Sequence, residues 1–269
     1  MMLINNIYTF SSSSRIGQVR KEKEKVMEKV SSGFKINRAA DNAAGLSISE
    51  SFKAQVRGLS QAERNIQDGI SLLQVADGAL DDITKHIHRM SELSVKAANG
   101  TLEDNDRKAL NDEFQQLKKS IEDIVNKTDF NGIKLLDEDK TLTLQVKDNP
   151  YTTMGIKLYS VDVDSLNIKD VDILSSENGG KAISYMKEAL IKVNDIRTEI
   201  GSYSNNLQHA LMNTSNANIN ISKSLSVIKD LDMASSVMGM VKDDVMSKYS
   251  EMMYSVTKGN IESIKNLIQ

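Results

Sequence analysis

The sequence predicts a mainly α protein, a long antiparallel helical coiled-coil bundle with a small central β-hairpin. Apolar residues recur at spacings of three, four and seven near the start (Ile16, Val19, Val26, Val30, Phe34). They do so again near the finish (Val237, Val241, Val245, Met252, Val256, Ile264, Leu267). That spacing is one face of a helix. The period changes to alternation only within about 137–180, and the single proline, Pro150, lies there. Long helices can therefore run unbroken on both sides of it.

The first helical pattern spans about 14–33, and the run Arg20 to Lys25 forms its charged, solvated face. Between Arg15 and Arg38 stand eight basic and three acidic residues, so a basic docking surface is the sharper alternative. Ser31-Ser32-Gly33 is a helix stop, since glycine suits the left-handed position at a C-terminus. Asp41 or Asn42 then caps a long helix over 43–98, and small residues at 39–45 allow another backbone to come close. Its seam is Ile66, Ile70, Leu73, Ala76, Leu80, Ile83, Ile87 and Met90, a coiled-coil-like spacing. Gly58, Gly69 and Gly78 are expected to mark close helix–helix contacts.

Asn99-Gly100 ends that helix, and a third, with Thr101 as its cap, runs over 103–127 on the stripe Leu110, Phe114, Leu117, Ile121 and Ile124. The short link implies an antiparallel return. Thr141–Val146 and Met154–Tyr159 alternate on either side of Pro150 and read as a hairpin. Residues 161–174 are irregular with room for one more short strand, closed by Gly179-Gly180. From Lys181 the helical seam resumes with Ile183, Met186, Leu190, Val193, Ile200, Leu207, Ile221, Leu225 and Ile228. A break at 231–236 precedes the last helix. A chain that turns back at its centre pairs its halves antiparallel, so the two end stripes are placed to meet each other or another copy. The implied domains are 1–42 and 230–269, two halves of an inner coiled coil, and 43–229, a helical domain carrying the hairpin.

Composition narrows the function. A net charge of −3 argues against a general nucleic-acid binder. No stretch reaches the roughly 18 apolar residues of a membrane span. No secretory leader is expected, because the opening MMLINNIYTFSSSSR lacks a charged segment followed by an apolar run. Without cysteine there are no disulfides or thiolate metal sites. His86 and His88 point to different helix faces, His209 is remote, and no HExxH, phosphate-binding loop or nucleophile elbow occurs. Neither an enzyme nor a cofactor or metal site is expected.

Four stretches carry a family resemblance. They are SSGFKINRAADNAAGLSIS with GLSQAERNIQDGISLLQVADGAL (within 31–80), HRMSELSVKAANGTLEDNDRKALNDEF (88–114), TDFNGIKLL (128–136), and DIRTEIGSYSNNL followed by VIKDLDMA (227–234). Together they resemble bacterial flagellin, in a short form lacking the variable outer domains. Lys35 stands where arginine is usual and Asn42 where a second aspartate is common. The Leu/Asn-rich opening of the family is missing. Its Ala-Asn-Gln-x-Pro-Gln ending is replaced by Val256 to Glu262.

The resemblance implies a structural subunit that polymerises with itself into the flagellar filament for swimming. It implies secretion through the flagellar type III route with an export chaperone, and contact with hook-associated proteins and the filament cap. The end-stripe residues Val237, Val241, Val245, Met252, Val256, Ile264 and Leu267 would be the assembly surface. The vertebrate Toll-like flagellin receptor is a further implied partner, its surface matching Arg89, Leu93 and Glu113. A hook–filament junction protein and a minor divergent flagellin are the alternatives. The first usually carries Asp-Asp-Pro where this chain has Asp41-Asn42-Ala43. An exported effector or adhesin would need a globular module that 137–180 is too short to supply.

Overall fold

The computed structural model describes residues 2–268, with side chains described at 14, 16–256, 258 and 259. The elements are α1 (Met2–Ser32), α2 (Ala43–Ala97), α3 (Asp104–Lys127), β1 (Asp129–Phe130), β2 (Ile133–Lys134), β3 (Lys140–Gln145), β4 (Thr153–Leu158), α4 (Ser176–Lys229) and α5 (Met233–Ile268). The expected mainly helical fold is what forms. Among the described residues no helix is long and apolar enough to cross a membrane. The chain divides into two compact units, residues 57–218 and residues 1–56 with 219–269. Their limits fall within α2 and α4. The boundaries expected at 42/43 and 229/230 fall instead on helix ends.

In the unit of residues 57–218, the seam read from the sequence is the core. Ile66, Leu73, Leu80, Ile83, Ile87 and Met90 of α2 are buried with Phe114 and Ile121 of α3 and Met186, Val193 and Leu207 of α4. Arg197 of α4 reaches Asp77 and Asp81 of α2, while Asn218 reaches Ser60 and Glu63. Rising numbers on one helix meet falling numbers on the other, so the two are antiparallel. α3 returns along α2 in the same sense. The buried Arg107 guanidinium fastens the corner between them by donating to the carbonyls of Ala97, Asn99 and Leu102. Those carbonyls lie at and just beyond the C-terminal end of α2, where a cation is favoured.

Several local expectations change. Thr101 is not the cap of α3: the helix begins at Asp104 with Glu103 in the cap position, and Asp104 and Asp106 place negative charge in its first turn. β3 and β4 pair antiparallel from Lys140↔Leu158 to Gln145↔Thr153, as the alternation predicts. A second, shorter hairpin, β1–β2, forms around Asn131-Gly132 at φ 51° and 78°. Asn-Gly is the preferred pair for a turn with both central residues left-handed. Residues 161–174 form no strand. Val161, Val163, Leu166, Ile168 and Ile173 are buried as coil, and Lys118 Nζ holds the segment by donating to the carbonyls of Lys169 (2.6 Å) and Val171 (3.0 Å).

The glycines also sort differently. A Cβ at Gly69 would clash with the Leu144 side chain, and one at Gly58 would lie 2.9 Å from Asp148 Cβ. Both make room for the β3–β4 hairpin and its turn, whereas Gly78 has open space. Gly179 lies inside α4 rather than before it, and its Cβ would sit 2.8 Å from the backbone nitrogen of Ala98.

In the other unit, α1 extends back past Ser14 to Met2. Gly33 at φ 75° stops it, donating to the Lys29 carbonyl. Asn42, not Asp41, caps α2: its Oδ1 accepts from the Gly45 N–H at 2.9 Å. Asp41 instead accepts from the N–H groups of Arg38 and Asn37, which holds its carboxyl below the ordinary value. Asn42→Ala is expected to cost about 1 kcal/mol, read as a shift in urea midpoint; an unchanged midpoint would refute the cap. The links α1–α2 and α4–α5 lie side by side. Lys35 N–H donates to the Lys229 carbonyl (2.7 Å), Leu231 N–H donates to the Gly33 carbonyl (3.0 Å), and the Lys229 ammonium lies 4.9 Å from the centre of the Phe34 ring.

Candidate assembly surface

α1 and α5 pack antiparallel. Arg20 meets Glu251 at 2.7 Å and Lys23 meets Asp244 at 2.5 Å. The basic excess of α1 thus partly faces acids of α5. Ile16, Val19, Val26 and Val30 of α1 are half-buried, so its stripe is directed as its spacing predicts.

The α5 stripe is directed otherwise. The α5 residues shielded in the pair are Ser236, Gly239, Met240, Asp243, Asp244, Ser247, Ser250 and Tyr254, a largely small or polar set. Val237 is 38 % exposed, Val241 55 %, Val245 60 %, Met252 67 % and Val256 55 %. Ile264 and Leu267 lie outside the residues whose side chains are described. At about 100° per residue the stripe and the shielded face are centred on opposite sides of the helix. The prospect that the two end stripes meet each other is therefore corrected. The polar face of α5 takes α1 through ion pairs and small side chains, and its apolar face is left outward. Met238 and Tyr249 join that outward face, although the sequence reading omitted them. So long a row of exposed large apolar side chains is unusual on a single subunit.

Arg89, Leu93 and Glu113 are not all at the surface. Arg89 Nε donates to Glu113 Oε1 at 2.9 Å, Nη2 lies at 2.9 Å from the same oxygen, and Nη1 donates to Glu92. Leu93 is 2 % exposed and belongs to the core. It follows Ile83, Ile87 and Met90 on the buried face of α2, so the surface there reduces to Arg89, Glu92 and Glu113. Among the described residues no group of three or more acidic, histidine or cysteine side chains could hold a metal ion.

A family model described as the bacterial flagellin N-terminal helical region matches residues 4–141, and one for the C-terminal helical region matches residues 183–267. The chain belongs to the bacterial flagellin family. It is 39 % identical to a flagellin of Halalkalibacterium halodurans over 272 residues and 32 % identical to one of Bacillus subtilis over 304, each alignment covering 100 % of both chains. The crystal structure of Bacillus cereus flagellin matches with 33 % identity and a TM-score of 0.50, over 56 % of this chain and 88 % of that one. The family models leave only residues 142–182 between them, so this flagellin is a short form without outer domains. It is a structural subunit of the flagellar filament, which lies outside the cell. These full-length relatives bear the flagellin name, not that of a hook–filament junction protein.

The α1–α5 pair of this flagellin carries a pH dependence. Hydrogen bonds from the Lys23 and Lys248 ammonium groups, with their charge, hold the Asp244 carboxyl below its ordinary value of 3.8. A carboxyl with its folded pKa below its unfolded one adds stability above the unfolded value and loses it as pH falls through the folded one. Hydrogen exchange in α1 and α5 should therefore gain protection, relative to Asp244→Asn, as pH rises through the region below 3.8. Equal profiles for the two proteins would remove the pair's role.

Proposed function

We propose that this flagellin polymerises through the outward face of α5, with residues 1–42 and 230–269 as the part of each subunit that assembles. The supporting observation is the direction of the stripe: α1 takes the polar face of α5, so the apolar face needs a cover from outside the chain. Copies that cover it by contacts between unlike surfaces build an open helical polymer rather than a closed ring. Before assembly the same face would need protection. An export chaperone on α5 and secretion by the flagellar type III route fit that need, as do hook-associated and cap proteins that continue the contact at the filament's ends.

Val241→Asp with Val245→Asp tests the reading. Burying two unpaired carboxylates in an apolar contact is prohibitive. The variant should fail to elongate filament seeds in electron micrographs, while residues 57–218 melt as in the parent chain. Filaments of normal number and length would refute it.

A further inference from the structure

The outward face of α5 also holds oxidisable groups. The chain has no cysteine and no tryptophan but 13 methionines, so thioethers are its sites for two-electron oxidation. Six of them fall in α5. Met238 and Met252 lie within the arc of Val237, Val241, Val245, Tyr249 and Val256 at about 100° per residue. They are 68 % and 67 % exposed, whereas Met90 and Met186 in the core are fully buried.

We propose that Met238 and Met252 are an oxidation site that decides whether a free subunit can join a filament, an inference that rests on the assembly reading above. The oxidant is hydrogen peroxide. A thioether lone pair attacks one peroxide oxygen, the O–O bond breaks, and the sulfur keeps that oxygen as a sulfoxide. The other oxygen leaves as water after proton transfer. The sulfur is oxidised by two electrons and the peroxide is reduced by two. The sulfoxide is a strong acceptor in the middle of a row of valines, and covering it by a second copy strands it without a donor. In a filament the same thioethers are covered, so the modification acts on subunits before they are added.

Free subunits are treated with hydrogen peroxide, quenched and offered to seeds, and sulfoxide at each methionine is measured by mass spectrometry in pelleted filaments and supernatant. Elongation should fall about tenfold, the effect of leaving a polar group unpaired in an apolar contact. Sulfoxides at Met238 and Met252 should be depleted from the pellet, while that at the exposed Met212, in the unit of residues 57–218, partitions evenly. In the variant Met238→Leu with Met252→Leu, peroxide should not lower elongation below that variant's own untreated rate, because leucine carries no oxidisable sulfur. Even partition of the Met238 and Met252 sulfoxides overturns the proposal, and so does equal inhibition of the leucine variant. Should that variant fail to elongate untreated, the partition measured on the parent chain decides alone. Untreated parent subunits that do not elongate would instead overturn the assembly reading.

Discussion

A chain ending at Ser236 is expected to form no filaments on seeds, while residues 57–218 keep their melting transition. The deletion acts twice. It removes the outward apolar face: fully burying a valine- or methionine-sized side chain contributes about 1.5–3 kcal/mol. Five of the named stripe residues with described side chains, Val237, Val241, Val245, Met252 and Val256, begin well exposed. It also removes the partner of α1, with Glu251 and Asp244 lost to Arg20 and Lys23. A helix without a partner is marginal in water, so α1 should lose most of its hydrogen-exchange protection. The unit of residues 57–218 has its own core, drawn from α2, α3, α4 and the hairpins, and none of that core comes from α5. Filaments of parental length from the truncated chain would remove α5 from assembly altogether. Melting of residues 57–218 at a lower temperature would show that the units are not independent.

Phe114→Ala should have the largest effect on the stability of residues 57–218, about 3–5 kcal/mol by chemical denaturation. Phe114 is among the largest fully buried side chains and belongs to the cluster that joins the α2 seam to α3. Lys118, one turn on, stretches its buried stem past the ring, with Nζ 5.8 Å from the ring centre, to reach the carbonyls of Lys169 and Val171. Truncation therefore opens a cavity beneath the side chain that anchors the 161–174 coil. That coil should lose exchange protection in the same variant. A loss below about 1.5 kcal/mol, the range of well-tolerated core swaps, would mean that the site collapses around the cavity.

Much of this was legible in the sequence because period and burial share a cause. Every residue of the α2 seam except the half-buried Ile70 is buried, since a step of three or four keeps a side chain on one face. The β3–β4 hairpin followed from alternation for the same reason. What escaped depended on which neighbour arrives. Leu93 could be placed on the buried face by extending the α2 seam, but its match to a receptor surface pointed outward. Glycine within a helical pattern marks Gly58 and Gly69 as close contacts, yet a missing Cβ does not say whether a helix or a hairpin fills the space. Asn131-Gly132 is a readable turn signal, but its flanking strands have two residues each, too few to show alternation. Periodicity located the α5 stripe correctly but could not name its cover. Ser236, Asp244, Ser247 and Tyr254 do not read as a packing face until Arg20 and Lys23 stand opposite them.

The paired links at Gly33–Lys35 and Lys229–Leu231 have a mechanical consequence. Two backbone hydrogen bonds clasp the turn leaving α1 to the turn entering α5. Neither helix can swivel at its own break without opening that clasp. α1 and α5 therefore pivot as one lever, and a torque on the outward face of α5 is felt at both links at once.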